Sequence, residues 1–331
     1  MTSAPSAWLL FTLFQGALCI WGPGAVQPKA LSPERESMSL SRLAVTRDGT
    51  TCYFSVSHNL WQASTTGAAP KQLTTRGHAT VVDEEFAEPH DCDCPLLSPD
   101  GRYLAYRYMP DKGAAQVWLM NLQTGKDARL ADDADLGPGC WTPDGSAIVF
   151  EKGQSLWRVE VATGALSQVT QCPAGARVGD GQPTFSPDGT LAFTRDFDLW
   201  LLPPNSTAAR RLTNTSYLQW PTWSPDGKRL AAYASRRAGE GEDADQWDEI
   251  HMVDLTGTTK CLVSTSNAPE GTLSAAQIIG WLSNTELLID RNVGEAPPKV
   301  YAIDVNTGLS RLLLKLRDGD EMPTLWVPGR Q

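Results

Sequence analysis

The hydrophobic pattern of the chain consists of short apolar runs separated by polar turns. Runs such as Ala147–Phe150 follow, after one or two intervening residues, a four-residue phrase of Ser or Thr, Pro, Asp and Gly. Pro fixes φ in such a turn, Asp bonds to the local backbone and Gly accepts a positive φ. The pattern therefore predicts a strand, a tight turn and a second strand wherever the phrase occurs. The four phrases begin at Ser98, Thr142, Ser186 and Ser224.

Each unit continues in the same way after this hairpin. A second apolar run carries an aromatic residue, then comes a polar turn, often with Thr-Gly, and a last short run. Four short strands in about 40 to 45 residues is the period of a propeller blade. The aromatic residues of the second run are Trp61, Trp118, Trp157, Trp200 and Tyr301.

Two flanking units are degenerate copies of this repeat. Arg47-Asp48-Gly49 has lost the proline, and Trp281–Asn284 has lost Pro-Asp-Gly. The tail Glu321–Trp326 resembles the first strand of a unit, Gln219–Trp223, and either closes the ring or begins a seventh repeat. We predict an all-β fold, a six-bladed β-propeller of four-stranded antiparallel blades rather than a seven-bladed one.

The repeated phrase and its surroundings resemble the WD40-like repeats of the TolB-type β-propeller family. Similar repeats occur in the propellers of prolyl oligopeptidase-type peptidases. The resemblance implies the fold for nearly all of the chain after its first residues, but it implies little about activity, because propellers host unrelated functions. We expect the chain not to be TolB itself, which carries an α/β domain ahead of its propeller. The Gly-x-Ser-x-Gly turn of the peptidases does not occur in the sequence.

The first residues form an apolar stretch from Trp8 to Ile20, followed by small residues. This pattern is typical of a secretory signal peptide. We therefore divide the chain into residues 1–25, a signal peptide or an N-terminal anchor, residues 26–39, a linker, and residues 40–331, the propeller. A secreted, periplasmic or lumenal location follows, with no membrane span once the leader is removed.

Six cysteines lie outside the apolar stretch, and an exported protein can form disulfides with them. Period-two alternation places Cys92, Cys94 and Cys140 on one side of neighbouring strands. A bridge from Cys140 to Cys92 or Cys94 is predicted, with Cys172 taking the other. Buried thiols, or a metal site that includes His78 and His90, are the alternatives. Asn205 and Asn214 begin N-glycosylation tripeptides.

The longer, irregular loops of the repeat carry most of the candidate binding residues. These loops are rich in carboxylates, and a converging set would attract a basic segment or a cation such as Ca²⁺. The alternative is that they are solvated loop tips. The candidates are Asp83, Glu84, Glu85, His90, Asp91, Asp132, Asp133, Asp180, Glu242, Asp243 and Trp247.

The net charge of −10 argues against nucleic-acid binding. No nucleophile–base arrangement is recognisable among the four histidines. We therefore expect an exported, monomeric, non-catalytic propeller that binds a basic protein or peptide. We expect no cofactor, except for a Ca²⁺ or other divalent cation in the central channel. The alternatives are a metal-dependent sugar lyase or hydrolase, and the regulatory propeller of a truncated oligopeptidase-like protein.

Overall fold

The computed structural model describes residues 9–14, 17–25, 27–31, 43–81, 87–238, 245–266, 274–293, 297, 299–317 and 320–327. All regular elements in these residues are β-strands, as predicted. They form seven four-stranded antiparallel sheets and one two-stranded sheet. No helix in these ranges is long and apolar enough to cross a membrane.

The chain divides into two compact units, Ala7–Gln171 with Thr324–Gln331 and Cys172–Pro323 with Met1–Ser6. Within six of the seven four-stranded sheets the strands follow one another in chain order, and we call the first strand of each the inner strand. In the N-terminal unit the strands are β1 (Leu9–Phe14), β2 (Ala17–Trp21), β3 (Lys29–Ala30), β4 (Ala44–Val45), β5 (Thr51–Val56), β6 (Asn59–Ser64), β7 (Lys71–Gln72), β8 (His78–Val81), β9 (Ala87–His90), β10 (Cys92–Leu97), β11 (Tyr103–Tyr108), β12 (Gln116–Asn121), β13 (Asp127–Asp132), β14 (Asp135–Trp141), β15 (Ala147–Lys152), β16 (Ser155–Glu160) and β17 (Leu166–Gln168).

The second unit contains three sheets, β18–β21, β22–β25 and β26–β29. Its strands are β18 (Gly181–Phe185), β19 (Leu191–Arg195), β20 (Asp198–Leu202), β21 (Arg210–Arg211), β22 (Gln219–Trp223), β23 (Arg229–Ala238), β24 (Asp245–Asp254), β25 (Thr259–Ser264), β26 (Ser274–Trp281), β27 (Glu286–Val293), β28 (Lys299–Asp304) and β29 (Ser310–Lys315). The last strand of the chain is β30 (Asp320–Trp326).

The repeated Pro-Asp-Gly phrase forms the turn between the inner strand and the second strand. In the copy at Thr142, the threonine hydroxyl donates to Asp144 Oδ1 at 2.6 Å, and the Ser146 N–H donates to the same oxygen at 3.0 Å. Gly145 has a φ of 70°, which explains the glycine. These hydrogen bonds, led by that from Thr142, lower the pKa of Asp144 to about 2.

The tryptophans that end the inner strands tie neighbouring sheets together. The indole N–H of Trp141 donates to the Leu96 carbonyl at 3.0 Å, and that of Trp223 donates to the Thr184 carbonyl at 3.2 Å. Trp281 makes the same bond to the sheet before it. Within each unit, these tryptophans therefore pack between neighbouring sheets. Fully burying a large side chain of this kind contributes roughly 1.5 to 3 kcal/mol.

The seventh sheet corrects the predicted count of six blades. Its strand order is β3-β2-β1-β30, so that the last strand of the chain pairs with the first. The Trp326 indole donates to the carbonyl of Thr46, which follows β4, at 2.9 Å. Hence β30 begins a seventh repeat, whose second and third strands come from the apolar N-terminal stretch and whose last strand, β3, lies in the predicted linker. Leader cleavage and export remain predictions; cleavage after Ala25 would remove β1 and β2 from this sheet.

Candidate functional site

Three inner strands carry a bulge immediately before a proline. Cys94, Gln182 and Trp220 have φ values of 51°, 55° and 55°, and the strand register shifts at each of them. A non-glycine residue in this region costs roughly 1 to 3 kcal/mol, and such strain clusters at functional sites. A bulge also re-aims the side chain that it carries. These strained positions are therefore candidates for a binding surface.

Trp220 is the most exposed aromatic residue among the large exposed hydrophobic side chains, at 54%. Its backbone N–H donates to Gln182 Oε1 at 2.7 Å, and the Thr194 hydroxyl donates to the same oxygen at 2.9 Å. One side-chain amide thus fixes the bulge of the neighbouring inner strand. The result is a rigid backbone that presents an indole to solvent, which is the kind of group that anchors protein interfaces.

The carboxylate of Asp180 lies next to this bulge but is fully buried. Both of its oxygens accept from Arg195, whose Nη2 lies 2.7 Å from Oδ2 and whose Nε bonds to Oδ1. The hydrogen bond to Asp180 raises the pKa of the Arg195 guanidinium. In the other unit, Asp93 and Arg107 form the same forked pair, at 2.8 and 2.6 Å. Asp180 is therefore an internal counterion, and its carboxylate is not presented to a partner.

The other described acidic candidates are at the surface of the N-terminal unit. Asp91 Oδ1 lies 2.6 Å from His58 Nδ1. Asp132 and Asp133 are exposed, and Lys152 Nζ lies 3.0 Å from Asp133 Oδ2. The structure brings Asp132 and Asp133 together, but a lysine partly offsets their charge. Asp83, Glu84, Glu85, Glu242 and Asp243 lie outside the described residues.

His78 and His90, the predicted metal candidates, are direct cross-strand partners in the two-stranded sheet. Such partners have Cβ atoms roughly 4.5 to 5.5 Å apart. His78 Nε2 also lies 3.1 Å from Asp111 Oδ1. The backbone therefore places the two histidines as the sequence-based hypothesis requires, and metal binding there remains a prediction.

The hairpin β23–β24 is longer than the other hairpins, with ten residues in each strand. Trp247, which we named among the loop candidates, is instead a paired strand residue opposite Arg236. One face of this hairpin and of β25 carries a polar cluster, which we call the hairpin cluster. It consists of Arg236, Trp247, Glu249, His251 and Cys261, together with Tyr217, which precedes β22 and contacts Arg236 and His251.

The hairpin cluster is held together by hydrogen bonds and ring contacts. The Trp247 indole N–H donates to Glu249 Oε1 at 2.9 Å, and Glu249 Oε2 lies 2.9 Å from His251 Nε2. The Arg236 guanidinium lies 3.8 Å from the Tyr217 ring centroid and 3.8 Å from Glu249 Oε2. These interactions outweigh burial and lower the pKa of Glu249. Trp247 is thus an anchor within the hairpin.

Glu249, His251 and Cys261 were missed from the sequence because the repeat pattern did not mark them. The available signal was Glu-x-His, which puts both side chains on one face of a strand, followed by a cysteine in the next strand. Their ligand atoms lie within 4.8 Å of one another. Burial, and then the charge of Glu249, raise the pKa of the Cys261 thiol, which is unfavourable for a nucleophile.

The predicted disulfides do not form: all seven cysteines, each of them described, are thiols. The physical reason is the bulge between Asp93 and Leu96, where the left-handed Cys94 breaks the period-two alternation on which the prediction relied. Cys92 instead packs in a core beside Tyr106. The glycosylation candidates, Asn205 and Asn214, are both exposed, and their modification remains a prediction.

Comparison with known sequences gives partial matches. No protein-family model matches the chain. A curated protein of Agrobacterium fabrum is 21% identical over 206 residues, and an uncharacterised peptidase of Bacillus subtilis is 33% identical over 129 residues. A TolB homolog of Chlorobium chlorochromatii is 35% identical over 98 residues. These matches cover 59%, 34% and 29% of the chain and 64%, 19% and 21% of the relatives.

Solved structures match over much more of the chain. Puromycin hydrolase matches 94% of it with a TM-score of 0.64 and 15% identity, and this covers 53% of the enzyme. An oligogalacturonate lyase in complex with manganese matches 84% of this chain with a TM-score of 0.56 and 17% identity, and this covers 75% of the lyase chain. TolB from Acinetobacter baumannii matches 77% of this chain with a TM-score of 0.50 and 18% identity, and this covers 63% of the TolB chain. The chain therefore has the β-propeller fold and resembles the TolB-type propellers and those of prolyl oligopeptidase-type peptidases.

Proposed function

We propose that the chain is a non-catalytic propeller that binds a protein or peptide partner around Trp220. The single observation that carries this proposal is a 54% exposed indole on a bulged inner strand that is fixed by the neighbouring strand. Rigid aromatic anchors cost little conformational entropy when they bind, so a small contact area gives useful affinity.

The partner that we propose is basic. The net charge of −10 favours association with cations and raises the rate of encounter more than the affinity itself. Because Asp180 is neutralised internally by Arg195, the attraction comes from the overall field rather than from a carboxylate next to Trp220. Binding should therefore weaken as the salt concentration rises.

A peptide library displayed on phage, panned against the purified full chain, tests this proposal. We expect enriched peptides with Lys or Arg next to an apolar residue. Their affinity should fall by roughly 30-fold or more in Trp220→Ala, which is the scale of an interface hot spot. The matched control is Leu309→Ala, since Leu309 is 74% exposed beside a Thr-Gly turn. Peptides that bind Trp220→Ala as well as they bind the unaltered chain would contradict the proposal.

A second candidate function is that of a propeller that regulates a peptidase. The observation that favours it is the match of 94% of this chain to 53% of puromycin hydrolase. In this case the partner is a separate or adjoining α/β-hydrolase domain. A Gly-x-Ser-x-Gly domain encoded next to this chain, forming a stable complex with it when the two are produced together, would support this alternative. Failure of the two to associate would contradict it.

A further inference from the structure

We propose that Glu249, His251 and Cys261 form a binding site for a thiophilic divalent cation, with Zn²⁺ as the best match. The site lies on the third and fourth strands of one sheet, within the hairpin cluster. It is independent of the partner binding proposed above.

The strand geometry explains why the three side chains converge. Glu249 and His251 are two residues apart on β24, so both point to the same side of the sheet. Cys261 on β25 is the direct cross-strand partner of His251. One ligand atom from each residue lies within 4.8 Å of the other two, a separation that side-chain rotations can reduce to tetrahedral coordination.

His251 gives the independent reason to expect a ligand. Its side chain is 6% exposed, and within the described part of the chain its Nδ1 has no hydrogen-bond partner. A buried polar atom without a partner costs roughly 1 to 3 kcal/mol, and native structures rarely keep one without a reason. A metal ion bound to one imidazole nitrogen would place the proton on the other nitrogen.

The chemistry of the donors selects the class of cation. A thiolate and an imidazole favour Zn²⁺ or another thiophilic transition metal over Ca²⁺ or Mg²⁺, which prefer oxygen. Three protein ligands leave a fourth position for water. The thiol proton, now donated to the Val263 carbonyl at 3.2 Å, would leave to solvent when the metal binds.

The residues around the three ligands would support the site. Trp247 already donates to Glu249 Oε1, which leaves Oε2 directed toward His251. Such outer partners are worth roughly 10- to 100-fold in metal affinity. The positive charge of Arg236, 3.8 Å from Glu249 Oε2, opposes the binding of a cation. Its guanidinium is held by stacking on the ring of Tyr217.

The test uses the purified full chain, kept reduced, stripped with a chelator and then titrated with Zn²⁺ or Co²⁺ alone. We expect one metal ion per chain at the end point and, with Co²⁺, a thiolate-to-cobalt charge-transfer band. Cys261→Ser should lose the band and the stoichiometric binding. Trp247→Phe should keep the band and weaken the affinity by roughly 10- to 100-fold.

Two control variants separate this site from other metal-binding residues. Cys172→Ser should keep the band, since Cys172 is not in the hairpin cluster. His78→Asn should also keep it, because His78 belongs to the histidine pair on β8 and β9. Circular dichroism checks that each variant is folded, and Glu249→Gln replaces Cys261→Ser if the latter unfolds. The proposal is overturned by less than one ion per chain, or by a band that survives in Cys261→Ser.

Discussion

The backbone N–H of Trp220 donates to the side-chain oxygen of Gln182, and both residues have a φ of 55°. Two strained bulges on adjacent inner strands are therefore coupled through a single amide. Gln182→Ala removes the acceptor for Trp220 and for the Thr194 hydroxyl. We expect the free energy of unfolding to fall by about 1 kcal/mol, because the net contribution of these hydrogen bonds is lost. We also expect weaker peptide binding.

Urea unfolding and peptide titration check this prediction together. Gln123→Ala is the matched control, because Gln123 is exposed in a Thr-Gly turn and should change neither quantity. If Gln182→Ala leaves peptide affinity unchanged while stability falls, the hydrogen bonds to Gln182 stabilise only the fold.

The N-terminal strands give a prediction that distinguishes a retained segment from a removed leader. The Phe11 side chain is fully buried in a core shared with β5. If the segment stays in the folded chain, Phe11→Ala should destabilise it by roughly 3 to 5 kcal/mol, the cost of emptying an aromatic core position. Intact-mass measurement of the native protein, made alongside thermal unfolding, shows whether residues 1–25 are present. An unchanged unfolding temperature would argue that the mature protein lacks them.

The carboxylate of Asp144 predicts how the stability of the fold changes at low pH. Its carboxylate has a pKa lowered from 3.8 to about 2, chiefly by the hydrogen bond from Thr142. A lowered pKa stabilises the folded state above the unfolded value, and this stabilisation is lost as the pH falls from 3.8 toward 2. We expect Asp144→Ala to cost about 1 kcal/mol at pH 7, and the difference from the unaltered chain to shrink in that acidic range. Asp132→Ala, at an exposed strand end, is the control and should have the stability of the unaltered chain both at pH 7 and in the acidic range.

Asp290 should act in the opposite direction. Burial alone raises its pKa from 3.8 to about 6. The folded state therefore holds the proton more tightly than the unfolded state, and stability falls as the pH rises from 3.8 through 6. Asp290→Asn should be more stable than the unaltered chain by about 2 to 3 kcal/mol at pH 7. Chemical denaturation at pH 7 and at pH 4 should show this gain and then its loss; equal gains at both pH values would contradict the assignment.

The repeat was predictable because its turn chemistry is local. Asp144 and Gly145 are required by the turn itself, so they mark each hairpin in the sequence. The number of sheets was not predictable in the same way. The strand Leu9–Phe14 is apolar except for Thr12, and such a run has the same composition as the core of a leader.

The candidate sites depended on details that the repeat pattern does not contain. A single left-handed residue, Cys94, reversed the expected side of the strand and with it the disulfide prediction. Asp180 has the sequence context of a loop carboxylate, but Arg195, fifteen residues later, neutralises it in the folded chain. Glu249 and His251 were hidden because strand β24 begins at Asp245, inside a stretch whose acidic composition suggested a loop.

The sheet built from β1, β2, β3 and β30 has a consequence for how the protein is made. The ribosome synthesises β1 long before β30, so β1 has no neighbour on the β30 side until β30 has been made. During that interval an unpaired strand edge is available to chaperones, to targeting factors or to another copy of the chain. The synthesis of β30, rather than the folding of any one blade, is then the step that covers this strand edge.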